Sequence, residues 1–390
     1  MTHEDLRELL HEQVAELETP DLAAGAWEDA VRRRRRGRLL AAGATALATV
    51  VVVAGVAVVR DRLDDDSPRV PEPAGPPPWV TQTRPASPAA ADTTYQDLPV
   101  WWSPSDGQER ELPWVDESPL PREIDLGPDA PAATGLDAAL GVVAVFDAGL
   151  LQRIVVLAPD GSSRILDTSR LEAVHDEGGN AAALLTDDGG LSPDGRHVLF
   201  TQDSSLEVYE FATSSWRSID TPDWAAEGAR WSERGVIWVP DAVGGEGGTS
   251  YDVDGRTLGS AAADQASVLA RGGEAYGPLR AAGTTVARAY RLDGPVSSDD
   301  NSELSNPEAV VLRRAGGSFV LALSGLSRAK GCCPVAGLLD ERTVVFGSRG
   351  LLLAWVSGTR DVARVSAFTG VDGAETAYVA SFADLSAGAS

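Results

Sequence analysis

Lysine, cysteine, methionine and histidine are almost missing from this chain. Its 390 residues include one lysine, Lys330, against 32 arginines, with two cysteines, one methionine and four histidines. The cysteines are adjacent, Cys332 and Cys333. Two thiols make no disulfide framework, and with no histidine nearby in sequence they make no structural zinc site. The fold therefore has to be held by an apolar core, and a region of about 300 residues is large enough to supply one. Only His175 and His197 lie beyond residue 38. There is no Gly-x-Ser-x-Gly elbow, His-Glu-x-x-His pair, phosphate loop or dinucleotide fingerprint following a strand. The sequence thus assigns no catalytic residue, no metal ligand and no cofactor.

Positive charge is also in deficit. The chain carries 58 acidic and 33 basic residues, a formal charge of −25. Residues 1–38 hold 9 acids and 7 bases, which leaves 49 acids, 26 bases and a charge of −23 beyond them. Such a surface repels phosphate backbones, so nucleic acid is excluded as a partner. Arginine in place of lysine, with abundant Ala, Gly, Val and Asp, is the composition that a GC-rich bacterial genome encodes.

One stretch has no charge at all. It runs over residues 39–59, from Leu39 to Val59, directly behind Arg32, Arg33, Arg34, Arg35, Arg36 and Arg38. As a helix it is about 30 Å long, the thickness of the hydrocarbon core of a bilayer. In lipid a lone segment satisfies its backbone only as a helix, and arginines on one flank hold that flank in the cytoplasm. The expectation is a single-pass anchor in the cell membrane, N-terminus cytoplasmic and C-terminal domain extracytoplasmic. The rival is a cleaved export signal, with Gly55-Val56-Ala57 as a tolerable cleavage triplet.

This divides the chain into four parts. Residues 1–38 are a cytoplasmic tail, in which Thr2 and Asp5 have capping spacing and Leu6, Leu9, Leu10, Val14 and Leu17 share one helical face. Residues 39–59 are the transmembrane helix. Residues 60–94 form an extracytoplasmic stalk, dense in proline and including Pro76-Pro77-Pro78. Residues 95–390 read as short strands with turns between them. The strand-like runs are 142–146, 154–158, 163–167, 198–201, 206–211, 216–219, 236–239, 287–292, 310–313, 319–323, 343–346, 351–356 and 363–368. Turn pairs such as Asp160-Gly161, Asp194-Gly195 and Asp254-Gly255 separate several of them. That pattern predicts an all-β sandwich, barrel or propeller.

A repeat selects among the three. Leu191-Ser192-Pro193-Asp194-Gly195-Arg196-His197-Val198-Leu199-Phe200 is followed by Leu206-Glu207-Val208-Tyr209 and then Trp216-Arg217. This resembles the blade repeat of the WD40-like propellers of the TolB type. A weaker echo is Trp231-Ser232-Glu233-Arg234-Gly235-Val236-Ile237, and a weaker one still is Leu339-Asp340-Glu341-Arg342-Thr343-Val344. At about 40 residues per blade the resemblance implies six blades, within a range of five to seven. The strand-like ends, Pro99-Val100-Trp101-Trp102 and Ala377-Tyr378-Val379-Ala380-Ser381-Phe382, suggest closure of first strand on last.

The resemblance implies a binding or scaffold module for a protein or cell-envelope polymer, presented from the bilayer. Two other functions fit the layout. One is an envelope hydrolase or lyase, which needs acids or histidines converging from the innermost strands. The other is a transmembrane regulator of the anti-sigma kind, although the tail lacks the His-x-x-x-Cys-x-x-Cys motif of many such proteins. His197 fills the basic slot of the repeat and reads as exposed strand polarity, and His175 as a loop residue. Asp252 with Asp254, and Asp299, Asp300 and Asn301 with Glu303, offer oxygen ligands but lack the EF-hand spacing. Trp101, Trp102, Trp231, Trp238 and Trp355 fall in strand runs as core, whereas Trp114 and Trp224 fall in loops where a partner could meet them.

Cys332 and Cys333 lie in Lys330-Gly331-Cys332-Cys333-Pro334. In an oxidising compartment free thiols are unstable. The Cα atoms of neighbouring residues stand about 3.8 Å apart, shorter than the span of an ordinary disulfide, so a vicinal bond closes a strained ring. Two reduced thiols and bridges to another molecule are the alternatives. Intact mass after alkylation tests the vicinal bond: a monomer that gains two labels only after reduction carries it, and one labelled twice before reduction does not.

Overall fold

The computed structural model describes residues 89–386 apart from 105–106, 148–149, 175–183, 186–188, 222–227, 233, 242–246, 263–267, 270–272, 298–302, 306, 324–333, 349 and 372–375. The expected tail with its arginine block, the 39–59 run and the stalk up to residue 88 lie outside the described residues. Among the described residues no helix is long and apolar enough to cross a membrane. They hold 24 strands and one 3-10 turn at Gln108–Arg110.

The strands build five blades in chain order. Three short strands come first: β1 (Thr93–Tyr95), β2 (Leu98–Trp102) and β3 (Glu123–Asp125). Blade I holds β4 (Gly141–Asp147), β5 (Leu150–Leu157) and β6 (Ser163–Leu166). Blade II holds β7 (His197–Thr201), β8 (Ser205–Glu210) and β9 (Ser215–Asp220), with Leu191 bridged to Val198 on the inner side. Blade III is β10 (Arg230–Trp231), β11 (Ile237–Pro240), β12 (Gly247–Tyr251) and β13 (Thr257–Ala262). Blade IV is β14 (Gly273–Ala282), β15 (Thr285–Leu292), β18 (Glu308–Arg314) and β19 (Gly317–Ala322). A separate hairpin of β16 (Pro295–Ser297) and β17 (Glu303–Ser305) is inserted between β15 and β18. Blade V is β20 (Val335–Leu338), β21 (Thr343–Ser348), β22 (Leu351–Val356) and β23 (Val362–Thr369). The last strand, β24 (Thr376–Phe382), returns to blade I and takes its innermost place beside β4.

The architecture is an all-β propeller of five blades, the lower end of the expected range of five to seven and one fewer than its best value of six. Residues 89–135 add strands to the edges of blades that already exist, and the β16–β17 hairpin forms a two-stranded sheet of its own.

The middle strands of the blades are buried on both faces, which is why β4, β5, β21 and β22 read as apolar runs. Val143 and Val145 of β4 pack toward blade V, with Val345, Leu352 and Phe382. Their neighbours Val142 and Ala144 pack toward blade II, with Val198, Phe200 and Tyr209. Leu351, Leu353 and Trp355 of β22 meet Ala287, Val310 and Leu321 of blade IV. Leu199, Leu206 and Val208 of blade II meet Ile237 and Val239 of blade III.

The repeat read in the sequence is a repeated turn. Ser192 N–H donates to the His197 carbonyl at 2.8 Å, and Gly195 N–H to the Ser192 carbonyl at 2.9 Å. In blade III, Ser232 N–H reaches the Val236 carbonyl at 2.8 Å and Gly235 N–H the Ser232 carbonyl at 3.0 Å. Gly195 and Gly235 both sit near φ +70°, a conformation that favours glycine. The third echo forms a corresponding turn without glycine: Leu339 N–H donates to the Thr343 carbonyl at 2.9 Å, and the Asp340 carboxylate accepts from the amides of Arg342 and Thr343.

Closure differs in its partner from the expectation. The last strand pairs antiparallel with β4 in an unbroken register from Thr376↔Asp147 to Phe382↔Gly141. Leu98–Trp102, the strand expected to meet it, lies parallel to β19 instead. Beyond the pairing, Leu191 N–H donates to Ser381 Oγ at 2.9 Å and Asp384 N–H to the Pro193 carbonyl at 2.8 Å, so the C-terminus ties blade I to blade II. A Cβ on Gly141 would fall 2.7 Å from the Phe382 ring, so only glycine leaves room for that ring.

The leading segment runs along outer edges. The β1–β2 hairpin extends blade IV through β2 alongside β19. Residues 113–115 and then β3 extend blade V: Val115 N–H donates to the Arg364 carbonyl at 2.8 Å, and β3 pairs parallel with β23. Ala132 then bridges Ile165 on the edge of blade I, also in parallel.

Deleting residues 376–390 removes β24 and with it the inner strand of blade I. The whole domain is expected to lose its cooperative unfolding transition, and a truncated chain that melts like the intact one contradicts closure. Phe382→Ala, a milder lesion, should cost about 3–5 kcal/mol in denaturant unfolding, the usual range for emptying a buried phenylalanine site.

Candidate functional site

Strands that alternate in direction place successive turns at opposite rims. The β7 start, the β8–β9 turn and the β12–β13 turn therefore share one rim, the one with tight turns. Here a cleft of about 260 Å³ opens between blades II and III, lined by His197, Val208, Glu210, Ser215, Arg217, Val253 and Asp254. Register explains the set. His197 stands opposite Glu210, and Glu210 opposite Ser215, in one row across β7, β8 and β9. Val208 opposite Arg217 forms the next row on the same face. That face is the one whose Leu199, Leu206 and Ile219 pack on blade III, so the cleft is the polar end of an apolar interface.

Arg217 forms an ion pair with Asp254 across the two blades. Their side chains are 43% and 60% exposed, so the pair contributes at most about 1 kcal/mol and reorganises at little cost. Asp254 is presented by a turn in which Asp252 Oδ1 accepts the amides of Asp254 at 3.0 Å and Arg256 at 2.8 Å. The carboxylates considered as calcium ligands thus serve turn geometry and an ion pair. Among the described residues no group of three or more His, Cys, Asp or Glu side chains is placed to hold a metal. Asp299, Asp300 and Asn301 lie outside them.

His197 is not the exposed residue its slot in the repeat suggested. It is half-buried, with its ring 5.9 Å from that of Trp231 in blade III. Burial holds its imidazole below the ordinary histidine value, Asp194 and Glu210 pull it up, and Arg217 and Arg196 push it further down. The row order also bears on chemistry. A nucleophilic triad needs histidine between serine and carboxylate, whereas here Glu210 stands between His197 and Ser215. Two strand spacings, roughly 10 Å, separate the backbones of the histidine and the serine. Among the described residues, the innermost strands of four of the five blades, β24, β10, β14 and β20, carry one carboxylate, Glu274, and no histidine.

Of the loop tryptophans, Trp114 is half-buried on the edge of blade V. The Arg364 guanidinium lies 4.3 Å from its ring centroid and that of Arg122 5.7 Å, so it fastens the leading segment to β23. Trp224 and the pair Cys332 and Cys333 lie outside the described residues, as do Arg32, Arg33, Arg34, Arg35, Arg36 and Arg38. Trp101 and Trp355 are buried at the IV–V interface, 6.3 Å apart, as their strand positions suggested. No sequence signal pointed to Glu210, Ser215 and Arg217 as a group, because pairing across β7, β8 and β9 assembles them.

No protein-family model and no curated protein matches the chain. Among solved structures it is similar to the Kuenenia stuttgartiensis hydrazine synthase, with 14% identity over 63% of this chain and 78% of that one and a TM-score of 0.25. It is also similar to the β-propeller domain of the Trilobed protease from Pyrococcus furiosus, with 10% identity over 61% and 70% and a TM-score of 0.26. U3-55K gives 13% identity over 60% and 83%, with a TM-score of 0.27. At such scores the fold assignment rests on the strand order of this chain alone.

A histidine kept neutral by burial makes stability depend on pH. As pH falls, the unfolded chain takes up the proton first, near 6.5, while the folded chain resists it. The contribution of His197 is therefore fully present above about 6.5 and is lost as pH falls below that value. Denaturant midpoints measured from pH 7 to 5 should fall more steeply for the native chain than for His197→Gln. Parallel curves would mean that the imidazole titrates freely in the fold.

Proposed function

We propose that this chain is a membrane-anchored, extracytoplasmic binding module, whose five-bladed propeller engages a protein or cell-envelope polymer at the tight-turn rim. The carrying observation is the cleft between blades II and III. Its volume of about 260 Å³ is smaller than the ~300–1,000 Å³ of pockets that enclose a small molecule, and suits one side chain or sugar unit of a larger ligand. Its walls combine a cation, two carboxylates and two valines, the mixture that an interface rim presents. The low cost of opening the Arg217–Asp254 pair lets either charge turn to a partner.

The location rests on the sequence. An uncharged run of 21 residues behind six arginines supports a single-pass anchor, and the proline-rich residues after it support a spacer holding the propeller off the bilayer. The TolB-type resemblance, carried by Ser192-Pro193-Asp194-Gly195 and its echoes, supports the binding reading over a catalytic one.

Two measurements test the proposal. A reporter that works only outside the cytoplasm, fused after Ser390, should be active and stay in the membrane fraction, and replacing Arg32 to Arg36 with neutral residues should scramble its orientation. A soluble exported fragment beginning near Val58 would replace the anchor with a cleaved signal. A photo-crosslinking residue at Ser215 in intact cells should yield discrete adducts, whereas one at Ser204 on the opposite rim should not. Equal yields at both positions would remove the rim as the binding surface.

A further inference from the structure

Three of the five outer strands are covered by the chain's own leading segment: β19 by β2, β23 by residues 113–115 and β3, and β6 by Ala132. Among the described residues nothing pairs with the outward edges of β9 and β13. An open edge is a row of unpaired backbone groups, and proteins blunt such rows with charge or proline. The edge strand β9 is blunted by Arg217 and Asp220. The edge strand β13 reads Thr257-Leu258-Gly259-Ser260-Ala261-Ala262, with neither. Residues 257–260 are all exposed, and Leu258, at 53%, is the one exposed large hydrophobic side chain among the described residues. It sits where the β12–β13 register shifts, so it stands out from the ladder. At the far end of the strand, Ala262 pairs with Gly247, and the Asp241 carboxylate lies 3.1 Å from the position of a Cβ on Gly247.

The sequence before residue 89 contains one stretch suited to that edge. Between Pro78 and Pro85 stand Trp79-Val80-Thr81-Gln82-Thr83-Arg84, six residues rich in the aromatic and β-branched types that strands favour, ending in a cation. Their number equals that of β13. Laid parallel, the orientation in which the leading segment joins β19, β23 and β6, the stretch brings Arg84 to the Asp241 end and Trp79 to the Leu258 end. Within one molecule it does not reach. Ala89 N–H is bonded to the Gly358 carbonyl in blade V, and the five steps from Arg84 to Ala89 span about 17 Å. Blade III is two sheets away, about 20 Å even at the closest stacking, with the β1–β2 hairpin on the blade between.

We propose that β13 is the docking edge for residues 79–84 of a second copy of this chain, which add to blade III as a parallel fifth strand. Two chains exchanging these segments make a closed dimer, each completing a blade of the other. The exchange is independent of which side of a membrane the propeller occupies.

The test uses the full chain purified in detergent, with a photo-crosslinking residue in place of Leu258. Irradiation should give a species of twice the chain mass, with the crosslink mapped to residues 79–84. Val80→Pro, which removes an amide donor from a segment outside the propeller, should reduce that yield at least tenfold and convert the dimer to monomer in light scattering. Leu258→Arg, at an exposed site, should do the same without changing the melting temperature of the domain. A crosslink within one chain, one joining two copies of β13 to each other, or a dimer indifferent to Val80→Pro would overturn the proposal.

Discussion

Everything in this molecule depends on seven residue pairs, Thr376 with Asp147 through Phe382 with Gly141. They join the last strand to the first blade and convert a row of sheets into a ring. A row has two terminal faces, each half-exposed, and blades buried on both sides cannot leave them bare. The strand that closes the ring also carries Ser381, whose hydroxyl oxygen accepts the Leu191 amide, and leads into Asp384, whose amide bonds the Pro193 carbonyl. One segment thus finishes blade I and fixes the repeat turn of blade II. Gly195 in that turn is pressed so close to Ala139 that a Cβ would fall 2.3 Å from its carbonyl oxygen. Closure and blade stacking are a single packing problem.

The leading segment solves a second problem, that of edges. Radial strand order leaves each blade with one outward strand, and here a length of chain laid parallel along three of them supplies the missing partners. Asp92 pairs with Arg360 at the start of this strap, and Arg364 holds both the Leu112 carbonyl and the Trp114 ring midway along it. Among the described residues the strap pairs with no strand of blades II and III, although the Tyr209 hydroxyl donates to the Ala133 carbonyl at 3.3 Å, and these two blades hold the rim cleft and the unpaired β13 edge. Among the described residues, the side of the ring whose outer strands gain no added partner is the side that holds the cleft.

Much of the fold was legible because burial on both faces writes apolar runs into the sequence. The runs at 142–146, 154–158, 343–346 and 351–356 became β4, β5, β21 and β22. The Ser192-Pro193-Asp194-Gly195 turn and both of its echoes became hydrogen-bonded loops at the same place in three blades, six residues long in blade II and five in blades III and V. What escaped was written in small residues or in pairing. The stretches Gly-Gly-Thr-Ser-Tyr of β12 and Thr-Leu-Gly-Ser-Ala-Ala of β13 carry no apolar signature, and β14 contains Pro278 within a register shift, where proline is tolerated. Blade number came out at the lower end of the expected five to seven because a strap and a blade consume chain alike. The cleft was invisible because His197, Glu210 and Ser215 come together through strand register, which periodicity does not fix without knowing the partners.

Native-state hydrogen exchange tests the central claim, that the ring is one cooperative unit locked by β24. Amides of β24 and β4 should open only with global unfolding, with the same exchange free energy as β21 and β22 on the far side of the closure, and the same denaturant dependence. If β24 exchanges at a much lower free energy while β21 and β22 stay protected, the ring is stable without its lock, and closure by the last strand is not what holds the propeller together.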